Sequence, residues 1–200
     1  MQNVAQTLPF SVDAKTGLVA PATQCLSPNQ DARPDNVTLD LIVIHGISLP
    51  PGSFGETHIH ALFCNQLDAE AHPYFATICD LKVSAHVLVQ RDGAVTQFVP
   101  FGRRAWHAGV SMYQGRERCN DFSVGIELEG SDDTPYTEVQ YTVAAALIDS
   151  LRTAYPTLAG SAVVGHSDIA PGRKTDPGAS FDWPRLRALM ASERHIEDRP

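Results

Sequence analysis

The sequence contains no long apolar run. None of its 200 residues lie in a stretch approaching the roughly 18 to 20 consecutive apolar residues that a membrane-spanning helix needs. Segment 1–17 also has no basic cluster followed by an apolar core, the pattern of a secretory signal peptide. We therefore expect no membrane partner and a cytoplasmic location.

Cysteine is scarce as well. The four cysteines form no CxxC pair or other metal-like spacing, and they are too sparse for the disulfide scaffold of a small secreted protein. We interpret them as reduced thiols.

Positive charge is in deficit. The chain has 15 Lys and Arg against 23 Asp and Glu, for a formal net charge of -8. Binding to phosphate backbones requires clustered positive charge, so we expect no nucleic-acid partner.

Apolar residues are sufficient for a single core. With 200 residues, 43% of them hydrophobic, the chain fits one globular domain. Residues 1–33 lack periodicity and contain three prolines, which predicts an extended arm laid on the domain. The domain itself is expected over 34–193, followed by a charged tail at 194–200.

Several elements have clear local signals. Residues 83–90 and 94–99 flank an Asp-Gly turn, which predicts a β-hairpin. A capping box predicts a helix over 137–154, and an aspartate cap predicts a short helix over 183–192. A further helix is expected within 58–67.

The most informative segment is the loop Gly165 to Gly178, GHSDIAPGRKTDPG. It carries His166, Lys174 and Asp176 among glycines and prolines, which oppose continuous helix and favour a defined loop path. His166 and Asp176 are too far apart to share one helical face, so a folded loop must bring them together. Two imidazoles and a carboxylate, with a fourth position open to water, are a common ligand set of catalytic zinc.

The second imidazole has a candidate in His45. It ends the apolar run 41–44 and precedes Gly46, which predicts a buried strand whose carboxyl end presents a functional group. Simpler interpretations exist, because a histidine after a strand can be a hydrogen-bonded core residue and Asp176 can start a turn. The residues alone leave a metal site and plain loop architecture both open.

A carboxylate is available on another predicted strand, 122–130, FSVGIELEG. Its alternation places Glu127 and Glu129 on one face. A solvated face is the usual fate of glutamate, but a carboxylate near a zinc site can act as general base. The pattern does not choose between the two glutamates.

Several long segments together resemble the AmpD-type N-acetylmuramoyl-L-alanine amidases, zinc enzymes of the family that also includes T7-type phage lysozyme and the peptidoglycan recognition proteins. The resemblance extends from about Pro34 to Arg187. It implies an α/β (α+β) single domain with a central mixed sheet flanked by helices. The segments are LIVIHGISLPPGSFG, DAEAHPYFATI, VSAHVLVQRDGAVTQFVPFGRRAWHAGVSMYQGRERCNDFSVGIELEG and GHSDIAPGRKTDPGASFDW.

The resemblance also implies roles for individual residues. One zinc ion would be bound by His45, His166 and Asp176. Glu127, rather than Glu129, would be the acid/base carboxylate and Lys174 the lysine that stabilises the transition state. The implied substrate is a muropeptide, cleaved at the amide between (1,6-anhydro) N-acetylmuramic acid and L-alanine of the stem peptide during peptidoglycan recycling.

Four further residues, Arg118, Lys82, Trp106 and His107, are candidates for substrate contact. The stem peptide is acidic, and Arg118 in the family-like string GRERCND is expected to bind one of its carboxylates. Lys82 stands where arginine is frequent in the family, so it keeps the charge but loses bidentate binding. Trp106 and His107 fit core packing beside the site equally well. Gly46 also departs from the family, in which asparagine is common there.

Two rival functions stand beside the recycling enzyme. One is an exported amidase that acts on intact cell wall, and the other is a non-catalytic peptidoglycan-binding module. The presence of the whole ligand set together with Glu127 and Lys174 favours an enzyme.

Overall fold

The computed structural model describes residues 10–197. The strands are β1 (Ser11–Asp13), β2 (Leu18–Ala20), β3 (Thr23–Gln24), β4 (Gln30–Ala32), β5 (Leu41–Ile47), β6 (Val87–Val89), β7 (Val95–Gln97), β8 (Arg103–Ala105), β9 (Met112–Tyr113), β10 (Arg116–Glu117), β11 (Ser123–Glu129) and β12 (Ala162–Gly165). The helices are α1 (His58–Phe63), α2 (Glu138–Ala154), α3 (His166–Ile169) and α4 (Trp183–Glu197).

A six-stranded sheet forms the centre of the fold, in the order β12-β5-β11-β6-β7-β3. The strands β12, β5, β11 and β6 run parallel, whereas β7 is antiparallel to β6 and β3 is parallel to β7. The expected mixed central sheet flanked by helices is therefore confirmed.

The two central strands, β5 and β11, direct alternate residues to opposite faces of the sheet, as the period of two requires. Ile44 of β5 and Ile126 of β11 join the large apolar core that also contains residues of α2 and Leu186 of α4. The alternate residues of each strand face the other side of the sheet. His45 and Glu127 are consequently on the face opposite α2 and α4.

The start of α2 ties the helix to the ends of the sheet. Thr137 and Gln140 form the predicted capping box, in which the Thr137 hydroxyl accepts from the Gln140 amide at 3.3 Å. The Gln140 side-chain amide also donates to the carbonyls of Val89 and Glu129, at 3.2 and 2.9 Å. The carboxyl ends of β6 and β11 are thereby held at the same level.

The other predicted elements are present, with some changes in their bounds. The hairpin is formed by β6 and β7, and α1 covers part of the expected 58–67 helix. The last helix does not end at residue 192 but continues to Glu197. The sequence offers no glycine or proline after residue 192 to stop it before Pro200. Of the expected tail, residues 198–200 lie outside the described part.

The described part of the N-terminal arm, residues 10–33, forms four short strands. β1 pairs with β2, β3 adds to the edge of the central sheet, and β4 pairs with β8. At the end of the arm the buried guanidinium of Arg33 donates to four backbone carbonyls of the domain. Residues 1–9 lie outside the described part. Within residues 10–197, the helices are all too short or too polar to cross a bilayer.

Candidate active site

Strand register brings the predicted site residues together. His45 on β5 is paired with Glu127 on the neighbouring parallel strand β11. On the other side of β5, Gly165 ends β12 opposite Ile44, so His166 follows at the level of His45. The carboxyl ends of three adjacent parallel strands thus place two imidazoles and a carboxylate in one row.

The three predicted ligand residues converge on one point. The Nδ1 atoms of His45 and His166 are 3.0 Å apart, and each is 3.1 Å from Oδ2 of Asp176. A tetrahedral zinc ion with bonds of about 2.0–2.1 Å separates its ligands by about 3.3–3.4 Å, so this triangle fits such an ion with little adjustment. In the part of the chain whose side chains the structure describes, no other group of three or more His, Cys, Asp or Glu side chains converges in this way.

Asp176 is held in place by its backbone neighbours. Its carbonyl accepts from the Ser167 amide at 3.0 Å, beside His166. The carbonyl of the next residue, Pro177, accepts from the Tyr136 hydroxyl at 2.9 Å. Burial alone would raise the pKa of Asp176, but the contacts of its Oδ2 with the imidazoles of His166 and His45 outweigh burial and hold the pKa below its ordinary value. The carboxylate is therefore ionised, as a metal ligand must be.

Tyr136 explains why glycine follows the first histidine. A Cβ on Gly46 would collide with the Tyr136 hydroxyl oxygen, and a Cβ on Gly130 would collide with the same ring. The asparagine expected at position 46 in family members therefore does not fit while Tyr136 holds the Pro177 carbonyl. In this chain, the departure at Gly46 leaves room for the Tyr136 side chain, which anchors the loop that carries Asp176.

We expect Gly46→Ala to lower the free energy of unfolding by about 1–3 kcal/mol, because the new methyl group overpacks against Tyr136. In a Tyr136→Phe background the cost should be smaller, because phenylalanine lacks the colliding oxygen. Urea unfolding of the wild type, both single variants and the double variant measures the coupling. Strictly additive effects would contradict the proposed contact.

Glu127 and Glu129 are both buried but have different surroundings. Glu129 is satisfied, since its Oε1 accepts from the Gly55 amide at 2.6 Å and its Oε2 from the Arg91 amide at 3.2 Å. In Glu127, Oε2 is buried without a hydrogen-bond partner. Burial, and then the nearby charge of Asp176, raise the pKa of Glu127 well above its ordinary value. Glu127 is thus the glutamate with an unpartnered carboxylate oxygen, and the solvated-face alternative is wrong for both residues.

A cleft of about 490 Å³ opens over the triangle, within the usual range for small-ligand sites. Glu127 and the three residues of the triangle line it together with Trp106. Lys174 also lines it, and its exposed side chain stands on the loop that carries Asp176. The apolar part of the wall includes Leu49, Tyr74 and Leu81.

Two of the expected substrate contacts lie outside the set of residues that line this cleft. Lys82 is exposed, and only its neighbours Leu81 and Val83 line the cleft. The Arg118 side chain is 69% exposed and lies 3.3 Å from the Asp121 carboxylate, beside a separate depression. That depression shares Arg173 with the cleft, so the two are neighbours.

His107 lines the cleft and is buried, as in the core-packing alternative given above. Its Nδ1 is 2.9 Å from Nε2 of His45, and its Nε2 is 3.2 Å from the Ser123 hydroxyl. Both ring nitrogens are therefore engaged within the protein. A spacing pattern does not reveal this contact, because His45 and His107 lie 62 positions apart on different elements.

Burial keeps several histidines of this region neutral. It lowers the pKa of His45 to about 4 and that of His86 to about 3, and it holds the pKa of His107 well below its ordinary value. His86 is the buried structural histidine expected from its strand position, with Nδ1 accepting from the Gly125 amide at 3.0 Å.

We expect the metal-free protein to lose stability as the pH falls from about 6.5 towards 4. In this window the unfolded chain takes up protons on these histidines while the folded chain does not, so the unfolding free energy declines by about 1.4 kcal/mol per pH unit for each such group. His86→Asn keeps an acceptor for the Gly125 amide but cannot titrate, and its slope should be shallower. Urea unfolding at several pH values measures this. A flat or inverted dependence would contradict it.

Comparison with known proteins agrees with this geometry. The model of the N-acetylmuramoyl-L-alanine amidase family matches residues 35–179, which contain every residue of the triangle and the cleft. The 1,6-anhydro-N-acetylmuramyl-L-alanine amidase AmpD of Citrobacter freundii is 57% identical over 181 residues, covering 90% of this chain and 96% of the relative.

Solved structures show the same relationship. A crystal structure of a selenomethionine derivative of AmpD superimposes with a TM-score of 0.85 at 57% identity, covering 89% of this chain and 98% of that one. The Escherichia coli amidase AmiD, solved with anhydro-N-acetylmuramic acid-L-Ala-D-γ-Glu-L-Lys, gives a TM-score of 0.53 at 25% identity, over 96% of this chain and 73% of that one. The family model matches most of this chain, and the AmpD relatives match it over nearly their whole length, so this chain belongs to the N-acetylmuramoyl-L-alanine amidases of the AmpD type.

Proposed function

We propose that the protein hydrolyses, in a zinc-dependent reaction, the amide between (1,6-anhydro) N-acetylmuramic acid and L-alanine of the stem peptide. The observation that carries the proposal is the triangle of His45, His166 and Asp176 beside the buried, unpartnered oxygen of Glu127. The names of the AmpD relatives and the substrate bound to AmiD support the choice of substrate.

The ligand atoms suit zinc among biological metals. Two imidazole nitrogens and one carboxylate oxygen are borderline ligands, whereas calcium and magnesium require mostly oxygen. When bound, the ion would polarise the scissile carbonyl and lower the pKa of water. His45, His166 and Asp176 would hold it, each from a rigid or anchored backbone.

The remaining chemistry belongs to side chains of this chain. Glu127 accepts a proton from the attacking water at its free carboxylate oxygen and delivers it to the leaving amine of L-alanine. Its raised pKa suits that exchange, because a stronger base takes the proton more readily. Lys174 presents an ammonium group at the same cleft, where it can stabilise negative charge developing on the carbonyl oxygen.

We place this reaction in peptidoglycan recycling in the cytoplasm. Support comes from the anhydro sugar in the names of the AmpD relatives, together with the sparse cysteines, which suit a reducing compartment. A non-catalytic binding module would have no need for an unpartnered buried carboxylate beside the ligand triangle.

The test is product analysis on a defined anhydro-muropeptide. Mass spectrometry should find free anhydro-N-acetylmuramic acid and an intact stem peptide with a new amino group on L-alanine. The matched control substrate carries N-acetylmuramic acid with a free reducing end, which compares the two sugars at the same amide. Cleavage within the peptide, or recovery of uncleaved substrate, would refute the proposed activity.

A further inference from the structure

The loop that contains His107 and Ala108 forms an outer layer behind both histidines of the triangle. His45 Nε2 lies 2.9 Å from His107 Nδ1, and His166 Nε2 lies 3.2 Å from the Ala108 carbonyl. Two consecutive residues thus contact the Nε2 atoms of both imidazoles, on the side away from the triangle. The Asn120 side-chain oxygen fixes this pair, accepting from the amides of His107 and Ala108 at 3.1 and 2.7 Å.

The short contact between the Ser123 hydroxyl and the Cys119 carbonyl sets a direction for the hydrogen-bond chain behind His45. Ser123 donates its hydroxyl proton to the Cys119 carbonyl at 2.6 Å, so its oxygen accepts from Nε2–H of His107. A neutral His107 with its proton on Nε2 has a lone pair on Nδ1, which accepts from Nε2–H of His45. The proton of His45 is then on Nε2, which leaves Nδ1 free to ligate.

The strand beneath is shaped for this ring. A Cβ on Gly125 would lie 2.5 Å from Cγ of His107, so the imidazole lies against bare backbone of β11. Any larger residue at position 125 would displace His107 and break its alignment with His45. The glycine of the FSVGIELEG segment therefore belongs to the same arrangement.

We propose that His107 is a positioning residue that fixes the ligating tautomer of His45, with Ser123 setting the direction of the relay. The inference rests on the proposed zinc site, because only metal binding requires the Nδ1 lone pair. It gives the core-packing alternative for His107 a role at the metal site. Outer partners of this kind typically change metal affinity by about 10-fold to 100-fold when removed.

The experiment compares His107→Leu with His107→Asn in the full-length protein. Asparagine offers an acceptor at the position of Nδ1, whereas leucine has a similar size and offers none. Competition with a chromophoric chelator should show zinc binding weakened about 10-fold to 100-fold in His107→Leu and largely recovered in His107→Asn. Long-range nitrogen–proton NMR on the metal-free proteins should place the His45 proton on Nε2 in the wild type and increasingly on Nδ1 in His107→Leu.

The control is His60→Leu, which removes another partly buried histidine that bonds a threonine hydroxyl, Thr96, at 3.0 Å. It should leave zinc affinity unchanged. If His107→Leu does not fold, Ser123→Ala carries the test, with an expected weakening of about 3-fold to 10-fold.

The inference would be overturned, with the proposed function left standing, if His107→Leu changed neither the zinc affinity nor the His45 tautomer. Where Ser123→Ala carries the test, the same result in that variant would overturn it. A folded wild-type protein that binds no zinc would instead overturn the proposed function, and this inference with it.

Discussion

Removal of bound metal by a chelator is expected to reduce muropeptide hydrolysis to the background rate, and one equivalent of Zn²⁺ should restore it. The reason is that Lys174 and Arg173 are the Lys and Arg side chains among the described cleft residues, and Arg173 already donates to the Ala108 and Val110 carbonyls, so the ion would be the main electrophile for the scissile carbonyl. Loss of several kcal/mol of charge stabilisation corresponds to at least about 10³-fold in rate. Metal content by elemental analysis, measured beside initial rates, checks the stoichiometry.

The matched variants for this test are Asp176→Asn and Asp168→Asn. Asp176→Asn keeps the shape of the third ligand but removes its charge, so zinc binding and turnover should both fall sharply. Asp168 lies on α3 beside His166, but its carboxylate accepts from the Gly165 amide at 2.7 Å and is not part of the triangle. Its variant should still bind zinc. Turnover that persists in protein free of metal would refute the zinc mechanism.

Glu127→Gln is expected to lower kcat by about 10²-fold to 10⁴-fold while zinc binding is retained. Glutamine has the shape of glutamate but cannot accept the proton of the attacking water. The unpartnered Oε2 of Glu127 makes no hydrogen bond whose loss would disturb the fold. Single-turnover rates together with metal content separate the chemical step from loss of the ion.

Glu129→Gln is the control, because it changes a second buried glutamate on the same face of β11. Glu129 receives two backbone amides, so its amide variant should cost about 1–3 kcal/mol of stability and alter turnover only slightly. Equal losses of turnover in the two variants would mean that the loss in Glu127→Gln comes from changing a buried carboxylate and not from the loss of proton transfer. Loss of zinc from Glu127→Gln would indicate that Glu127 is a metal ligand.

Local pattern was sufficient to predict the strands that carry the site. The alternation around Glu127 reflects burial of one face against α2. The apolar run before His45 is continuous because both faces of β5 are buried, Ile42 and Ile44 in the core with α2 and residues 41 and 43 in a second apolar cluster. The choice between the two glutamates was not available from the pattern. It depends on the Gly55 and Arg91 amides, which only the folded chain brings to Glu129.

The features that could not be predicted from the sequence depend on contacts between distant segments or on strands too short to show a pattern. The strands of the N-terminal arm are two or three residues long, too short to show a period in the sequence. The anchoring of the Asp176 loop by Tyr136 joins residues 41 positions apart, between Tyr136 and Pro177. Strand register, which fixes His45 beside Glu127, likewise appears only once the sheet is assembled.

The placement of the triangle on separate strands and loops has a thermodynamic consequence. No short fragment of the chain contains all three ligands, so an ion that needs them binds the native state and not the unfolded one. Mass action then makes free zinc a stabilising solute: each tenfold rise in its concentration above the dissociation constant adds about 1.4 kcal/mol to the unfolding free energy. Metal supply and resistance to heat or proteolysis are thereby linked in this protein.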